Sequence, residues 1–272
     1  MPHVIKKIDE MVIKSIILQH WREIGRIGRS SIIATEFVLG VNGRRADIAV
    51  LSDQFFGIEI KSDYDSVVRL RDQIEVYGRC FDRVSVVTGQ KNAEYCLSTL
   101  APSVEIWCVD QQCVPSLLRD AQAVPITDTI SMLQLLTVKQ LRRLTSISTQ
   151  GASRSHLLQV AQDLPRDVIY GAVIEQFYGA YATTSGAFWK LVGRRKVSLE
   201  HVKQLSRFAK TRARIETERA NKTKFWEDWR STASSIFSEK LESECTEHKS
   251  VNQSIQSPYH ERPHQVGYAN EY

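Results

Sequence analysis

Two short segments carry residue types whose spacing could do chemistry. Arg45-Ala46-Asp47-Ile48-Ala49-Val50 is followed, after the break Ser52-Asp53-Gln54, by Gly57-Ile58-Glu59-Ile60-Lys61-Ser62-Asp63. Side chains alternate along a strand, so Glu59 and Lys61 share one face roughly 7 Å apart while Ile58 and Ile60 enter the core on the other. Asp47 lies on the preceding strand, and cross-strand pairing brings its carboxylate beside Glu59. Two convergent carboxylates make a hard oxygen site suited to Mg²⁺ or Mn²⁺. A lysine at the edge of such a site orients the water that attacks a phosphodiester. Glu36, on the strand before, stands as a further ligand or as a hydrogen-bond partner for that water.

The elements that must position these residues are legible in the hydrophobic pattern. Residues 4–28 repeat apolar positions at Val4, Ile5, Ile8, Val12, Ile16 and Trp21 and predict an amphipathic helix. Three β-branched runs follow: Ile32–Leu39, Arg45–Leu51 and Phe55–Lys61, the first two joined by Gly40-Val41-Asn42-Gly43, a hairpin signal. Ser66–Phe81 reads as a helix capped by Ser62 and Asp63, and Asp65 and Asp72 as exposed residues on it. Arg83–Thr88 reads as a strand, Asn92–Leu100 as a helix and Val104–Val109 as a strand. The order predicts an α/β layer around a mixed sheet.

Asp47 with Glu59-Ile60-Lys61 resembles the signature of the PD-(D/E)XK nuclease superfamily, twelve residues apart across a hairpin. The proline that often precedes the aspartate is replaced by Ala46. Gln73-Ile74-Glu75-Val76-Tyr77, in the next helix, is similar to the Gln-xxx-Tyr motif of RecB-type members, and at i, i+4 its Gln and Tyr share a face. The resemblance covers about residues 1–125 and is closest to a bacterial branch of nuclease modules followed by a helical tail. It implies an αβββαβ restriction-endonuclease-like core in which Asp47 and Glu59 hold Mg²⁺ (or Mn²⁺). It implies that Lys61 and Glu36 serve the nucleophilic water and that Gln73 and Tyr77 contact substrate. Arg44 and Arg45, at the hairpin end, either meet phosphate or solvate the turn.

Past Pro125 the composition shifts. Residues 126–235 hold few strand runs and many Leu, Val and Ile repeats, which predicts a second, all-helical domain; residues 236–272 lack apolar periodicity and read as a disordered tail. Leu136–Arg143, a turn, and Gly151–Leu158 capped at Ser153 form a helical hairpin loosely similar to SAP-type nucleic-acid-binding modules. The charge is unevenly spread. Phe188–Arg230 carries 13 basic against five acidic residues, whereas residues 1–187 hold 20 of each. Lys190, Arg194, Arg195, Lys196, Lys203, Arg207, Lys210, Arg212 and Arg214 interleave with Phe188, Trp189, Phe208, Phe225, Trp226 and Trp229. Such a stretch either stacks on bases and grips phosphate or anchors a basic helix to its own domain.

Overall composition excludes some classes. The 272 residues are 42% hydrophobic and 25% charged with a net charge of +5, which excludes wholesale disorder and collagen-like fibres. No apolar run is long enough to span a membrane, and acids stand where a secretion signal needs an apolar stretch, so a cytoplasmic protein is expected. Five cysteines without a CxxC pair argue against zinc; those in apolar segments read as buried hydrophobes. The expected function is a metal-dependent nuclease hydrolysing phosphodiester bonds, with nucleic acid as partner and DNA favoured over RNA. The alternative is a nucleic-acid-binding or regulatory module that keeps the fold without catalysis, and a third reading is an adaptor that docks a partner near Trp226. Oligomeric state, including a homodimer, stays open.

Overall fold

The computed structural model describes residues 8–40, 43–121, 126, 128–147, 151–206, 215 and 217–234. A helix α1 (Glu10–Glu23) begins at Asp9, whose side chain accepts the Val12 N–H at 3.0 Å, and lays Ile13, Ile17, Leu18 and Trp21 inward. Three strands follow, β1 (Ile32–Val38), β2 (Arg45–Leu51) and β3 (Phe55–Lys61). Next come α2 (Leu70–Gly78), β4 (Arg83–Gly89), α3 (Gln90–Thr99), β5 (Val104–Val109) and β6 (Pro115–Arg119). The chain continues through α4 (Thr129–Gln134), α5 (Val138–Thr145), α6 (Arg154–Ala161), α7 (Arg166–Val192) and α8 (Leu199–Lys203).

The six strands form one mixed sheet in sequence order. β1, β2 and β3 are antiparallel, β3, β4 and β5 parallel, and β5 and β6 antiparallel. The parallel pairs need crossovers, which α2 and α3 supply. Both faces of the sheet are covered. One core gathers Ala34, Phe37, Phe55, Val84 and Ile106 with α2 and α4–α7. The other gathers Ile33, Ile48, Val50, Ile58 and Ile60 with α1 and α8. Gly57 is required on the first face, because a Cβ there would stand 2.1 Å from Phe81 Cδ2.

Helix α7 joins the two cores. Its 27 residues, about 40 Å, contribute Ile169, Val173, Phe177 and Tyr181 to one and Phe188, Trp189 and Val192 to the other. It runs along the edge strand β1 and occupies backbone groups that the edge leaves free. Ser185 Oγ accepts the Ile33 N–H at 2.9 Å and donates to the Ser31 carbonyl at 3.2 Å, and Trp189 Nε1 donates to the same carbonyl at 2.9 Å. The Thr35 N–H donates to the Leu205 carbonyl at 3.3 Å. The helices after residue 125, read from sequence as a second domain, thus share a core with the sheet, and residues 1–210 form one compact unit. In the other unit, residues 217–234 are helical, with Phe225, Trp226 and Trp229 exposed. Among the described residues no helix is long and apolar enough to cross a membrane.

Several local expectations change. Strand β6 was not anticipated. Helix α2 starts at Leu70 rather than Ser66, its cap position is Arg69, and Ser62 and Asp63 do not cap it. Instead Asp65 Oδ2 accepts from the Ser62 N–H and hydroxyl at 2.8 and 2.7 Å, and Asp63 Oδ1 accepts the Lys91 N–H at 2.9 Å in the first turn of α3. Asp65 is therefore a turn residue. Ser153 does cap α6, accepting the His156 N–H at 3.2 Å. Cys80, Cys96 and Cys108 are buried but Cys113 is exposed. Phe188 and Trp189 are core residues, leaving no ring face there for bases. Val41 and Asn42 of the hairpin turn, Pro125, the basic and aromatic positions 207–214, Cys245 and the tail 236–272 lie outside the described residues.

Candidate active site

The site forms where β2 and β3 part. Their paired register ends at Ile48 with Ile58, and beyond it the Ile60 N–H donates to Asp47 Oδ2 at 2.7 Å. A side-chain carboxylate thus takes the hydrogen bond that a strand carbonyl would otherwise receive. On its other side β3 stays paired with β4 out to Lys61 and Thr88, which holds Glu59 and Lys61 on one rigid strand. Lys61 Nζ donates to Glu59 Oε1 at 2.6 Å, and Glu59 is 2% exposed.

Tyr77 reaches this pair from α2. Its hydroxyl contacts Glu59 Oε2 and lies 2.9 Å from the Arg45 carbonyl. Tyr77 is wholly buried, so it fixes Glu59 rather than facing solvent. Gln73, one turn earlier, is half-buried and makes no side-chain hydrogen bond among the described residues. The exposed Arg45 side chain lies 3.4 Å from Glu36 Oε2.

Glu36 sits opposite Asp47, at the one step where the β1–β2 register is interrupted. Its φ is +56°, a left-handed conformation costing a non-glycine residue about 1–2 kcal/mol. Its carboxylate meets Lys14 Nζ at 3.0 Å. Lys14 is 1% exposed and also lies 2.5 Å from Glu10, one turn back on α1. Carboxylate oxygens of Glu10, Glu36 and Asp47 all lie within 4.8 Å of one another. Asp47, Glu59, Lys61, Glu36, Tyr77 and Arg45 are therefore brought together, while Gln73 stands beside them without a bond. The sequence reading missed Glu10 and Lys14. The available signal was a lysine set in the apolar stripe Ile13, Ile17, Leu18 and Trp21, with an acid four residues earlier.

The electrostatics follow from this crowding. Burial pushes the Asp47 carboxyl well above the usual range, and the Glu59 charge adds to it; Lys14 and the Ile60 N–H act in the opposite sense. Burial, then Glu59 and Asp47, hold the Tyr77 hydroxyl well above its ordinary value. Burial lowers the Lys14 ammonium, but Asp47, Glu10 and Glu36 together outweigh it and raise it. Asp47 and Glu59 fit a hard cation as donors. Their charges oppose each other, and each carboxylate oxygen keeps a lone pair beyond its present contact.

A second buried acid lies away from this site. Glu105 accepts from Arg26 Nη1 and Nη2 at 2.8 Å each, from Arg83 Nε at 2.9 Å and Nη2 at 2.6 Å, from Ser85 at 3.1 Å, and from Trp107 Nε1.

A family model described as bacteriophage P4 protein cII matches residues 4–206, a span that takes in every element from α1 to α8. Protein cII of Enterobacteria phage P4 is 31% identical over 84 residues, which make up 31% of this chain and 31% of that protein. The chain thus aligns with about a third of that relative's length. No solved structure matches.

Proposed function

We propose that this chain, which belongs to the bacteriophage P4 protein cII family, is a metal-dependent nuclease of PD-(D/E)XK type, hydrolysing phosphodiester bonds, most readily in DNA. One observation carries the reading: Asp47 bonds the Ile60 N–H where β2 and β3 part, beside the buried Glu59–Lys61 pair. The order α1-β1-β2-β3-α2-β4 agrees with an αβββαβ core. Asp47 and Glu59 would hold the divalent cation, whose chemistry is to polarise a phosphodiester and acidify water. Lys61 presents its ammonium to the same edge and holds the attacking water. Glu36 accepts a hydrogen bond from that water, and Tyr77 keeps Glu59 in one rotamer. Arg45 and Gln73 supply the contacts to substrate.

The test is incubation with single- and double-stranded DNA and RNA in Mg²⁺ or Mn²⁺. Cleavage should exceed that of a Lys61→Ala control, and equality with that control would sink the activity.

One observation favours a second reading, a nucleic-acid-binding module without catalysis. Both Glu59 oxygens are already engaged, by Lys61 and Tyr77, inside a closed environment. The exposed basic residues Lys190, Arg194, Arg195 and Lys196 would then provide the grip. Gel shifts across a salt series decide this reading, because binding through phosphate weakens steeply with salt; a flat response would remove it.

A further inference from the structure

Three carboxylates within 4.8 Å of one another repel strongly unless a cation stands among them. An ammonium taken wholly out of water is costly unless acids surround it. Here each difficulty resolves the other. Lys14 is 1% exposed, 2.5 Å from Glu10 and 3.0 Å from Glu36, and Asp47 is the strongest of the charges that raise its affinity for its proton. Two elements meet at this ammonium, α1 with Glu10 and Lys14 and β1 with Glu36, and β2 brings Asp47 within 4.8 Å of both acids. Glu36 meets it through the left-handed turn in β1, the interruption in the β1–β2 register opposite Asp47.

We propose that Lys14 is the resident cation of the Glu10–Glu36–Asp47 niche, a positioning residue that orients Glu10 and Glu36 beside Asp47 and keeps divalent ions out of that side of the site. The exclusion leaves Asp47 to face Glu59 as a metal ligand. That last clause rests on the nuclease reading, whereas the occupancy of the niche does not. The side chain works through the acids that it orients and touches no substrate.

The test replaces one cation by another. Thermal unfolding of the full chain is followed with and without millimolar Mn²⁺, and bound Mn²⁺ per chain is counted, in wild type, Lys14→Met, Glu10→Gln and Lys14→Met/Glu10→Gln. Lys14→Met should unfold at lower temperature without metal and should regain about 5 °C or more with Mn²⁺, beyond any shift in wild type. It should also bind one more ion than wild type, and adding Glu10→Gln should abolish that gain. Equal Mn²⁺ responses in wild type and Lys14→Met would overturn the proposal. So would a wild-type response that Glu10→Gln alone removes, since the niche would then already admit the ion. Where Lys14→Met does not fold without metal, recovery on refolding in Mn²⁺ supports the proposal and failure to recover overturns it. No step reads cleavage, so an inactive protein would sink the nuclease reading and leave this result intact.

Discussion

Glu105, a buried acid, and Asp47, a half-buried one, have opposite surroundings. Glu105 is satisfied by two arginines, a serine and a tryptophan, which is how a structural carboxylate is kept in a core. Asp47 accepts one backbone N–H and faces Glu10, Glu36 and Glu59, with the charge of Lys14 as the counterweight. A group held above its ordinary value binds its proton more tightly in the folded state, so its contribution to stability falls as pH rises from about 4. Asp47→Asn should therefore be more stable than wild type at pH 7, with the difference vanishing below about pH 4; urea midpoints across pH would show it. A catalytic Asp47 predicts that the same variant loses cleavage, the trade between stability and activity common at functional sites. Tyr77→Phe removes the donor to a buried carboxylate and should cost about 1–3 kcal/mol, read by urea unfolding. Asp47, Glu59, Lys61 and Tyr77 were legible because strand alternation and a one-turn helical spacing place side chains by rule. For Glu10 and Lys14 the apolar stripe signals a buried cation but not its partners on β1 and β2, because nothing in a linear pattern says which strands a helix will cross.

Among the elements, strands were the most legible. The bounds Arg45–Leu51, Phe55–Lys61 and Val104–Val109 were readable because β-branched runs ended at polar or glycine breaks. β6 escaped, since a five-residue edge strand opening on Pro115 carries little periodicity. The start of α2 was misplaced because Ser62 and Asp63 look like caps, although their polar groups serve a turn and the start of α3. Strand β3 offers a sharp test. Its Gly57 lies under the Phe81 ring, so Gly57→Ala should cost about 1–3 kcal/mol, a melting-temperature drop of about 2–4 °C per kcal/mol in a chain of this size. An unchanged melting temperature would mean that Phe81 moves aside freely.

For the whole molecule, the difficult inference was what the later helices pack against. Their apolar faces were plain in the sequence, but a stripe of leucines fits another helix or a sheet equally well. Phe177 answers it, packing 5.2 Å from Phe37 and 4.9 Å from Phe55 between ring centroids. A fragment ending at residue 125 would leave those rings uncovered and should fail to show a cooperative thermal transition. A fragment ending at Lys210 should melt as the first unit does in the full chain. Calorimetry on both separates the two layouts.

The joining of both cores by α7 also sets an order of events during synthesis. Strand β3 leaves the ribosome about 130 residues before Val192, and at typical elongation rates that interval lasts roughly ten seconds. Throughout it the nascent sheet has aromatic rings without their cover and an edge strand without its serine and tryptophan partners. The protein's exposure to misassembly is thus concentrated before translation reaches the end of one helix, and slower elongation between β3 and α7 would lengthen it in proportion.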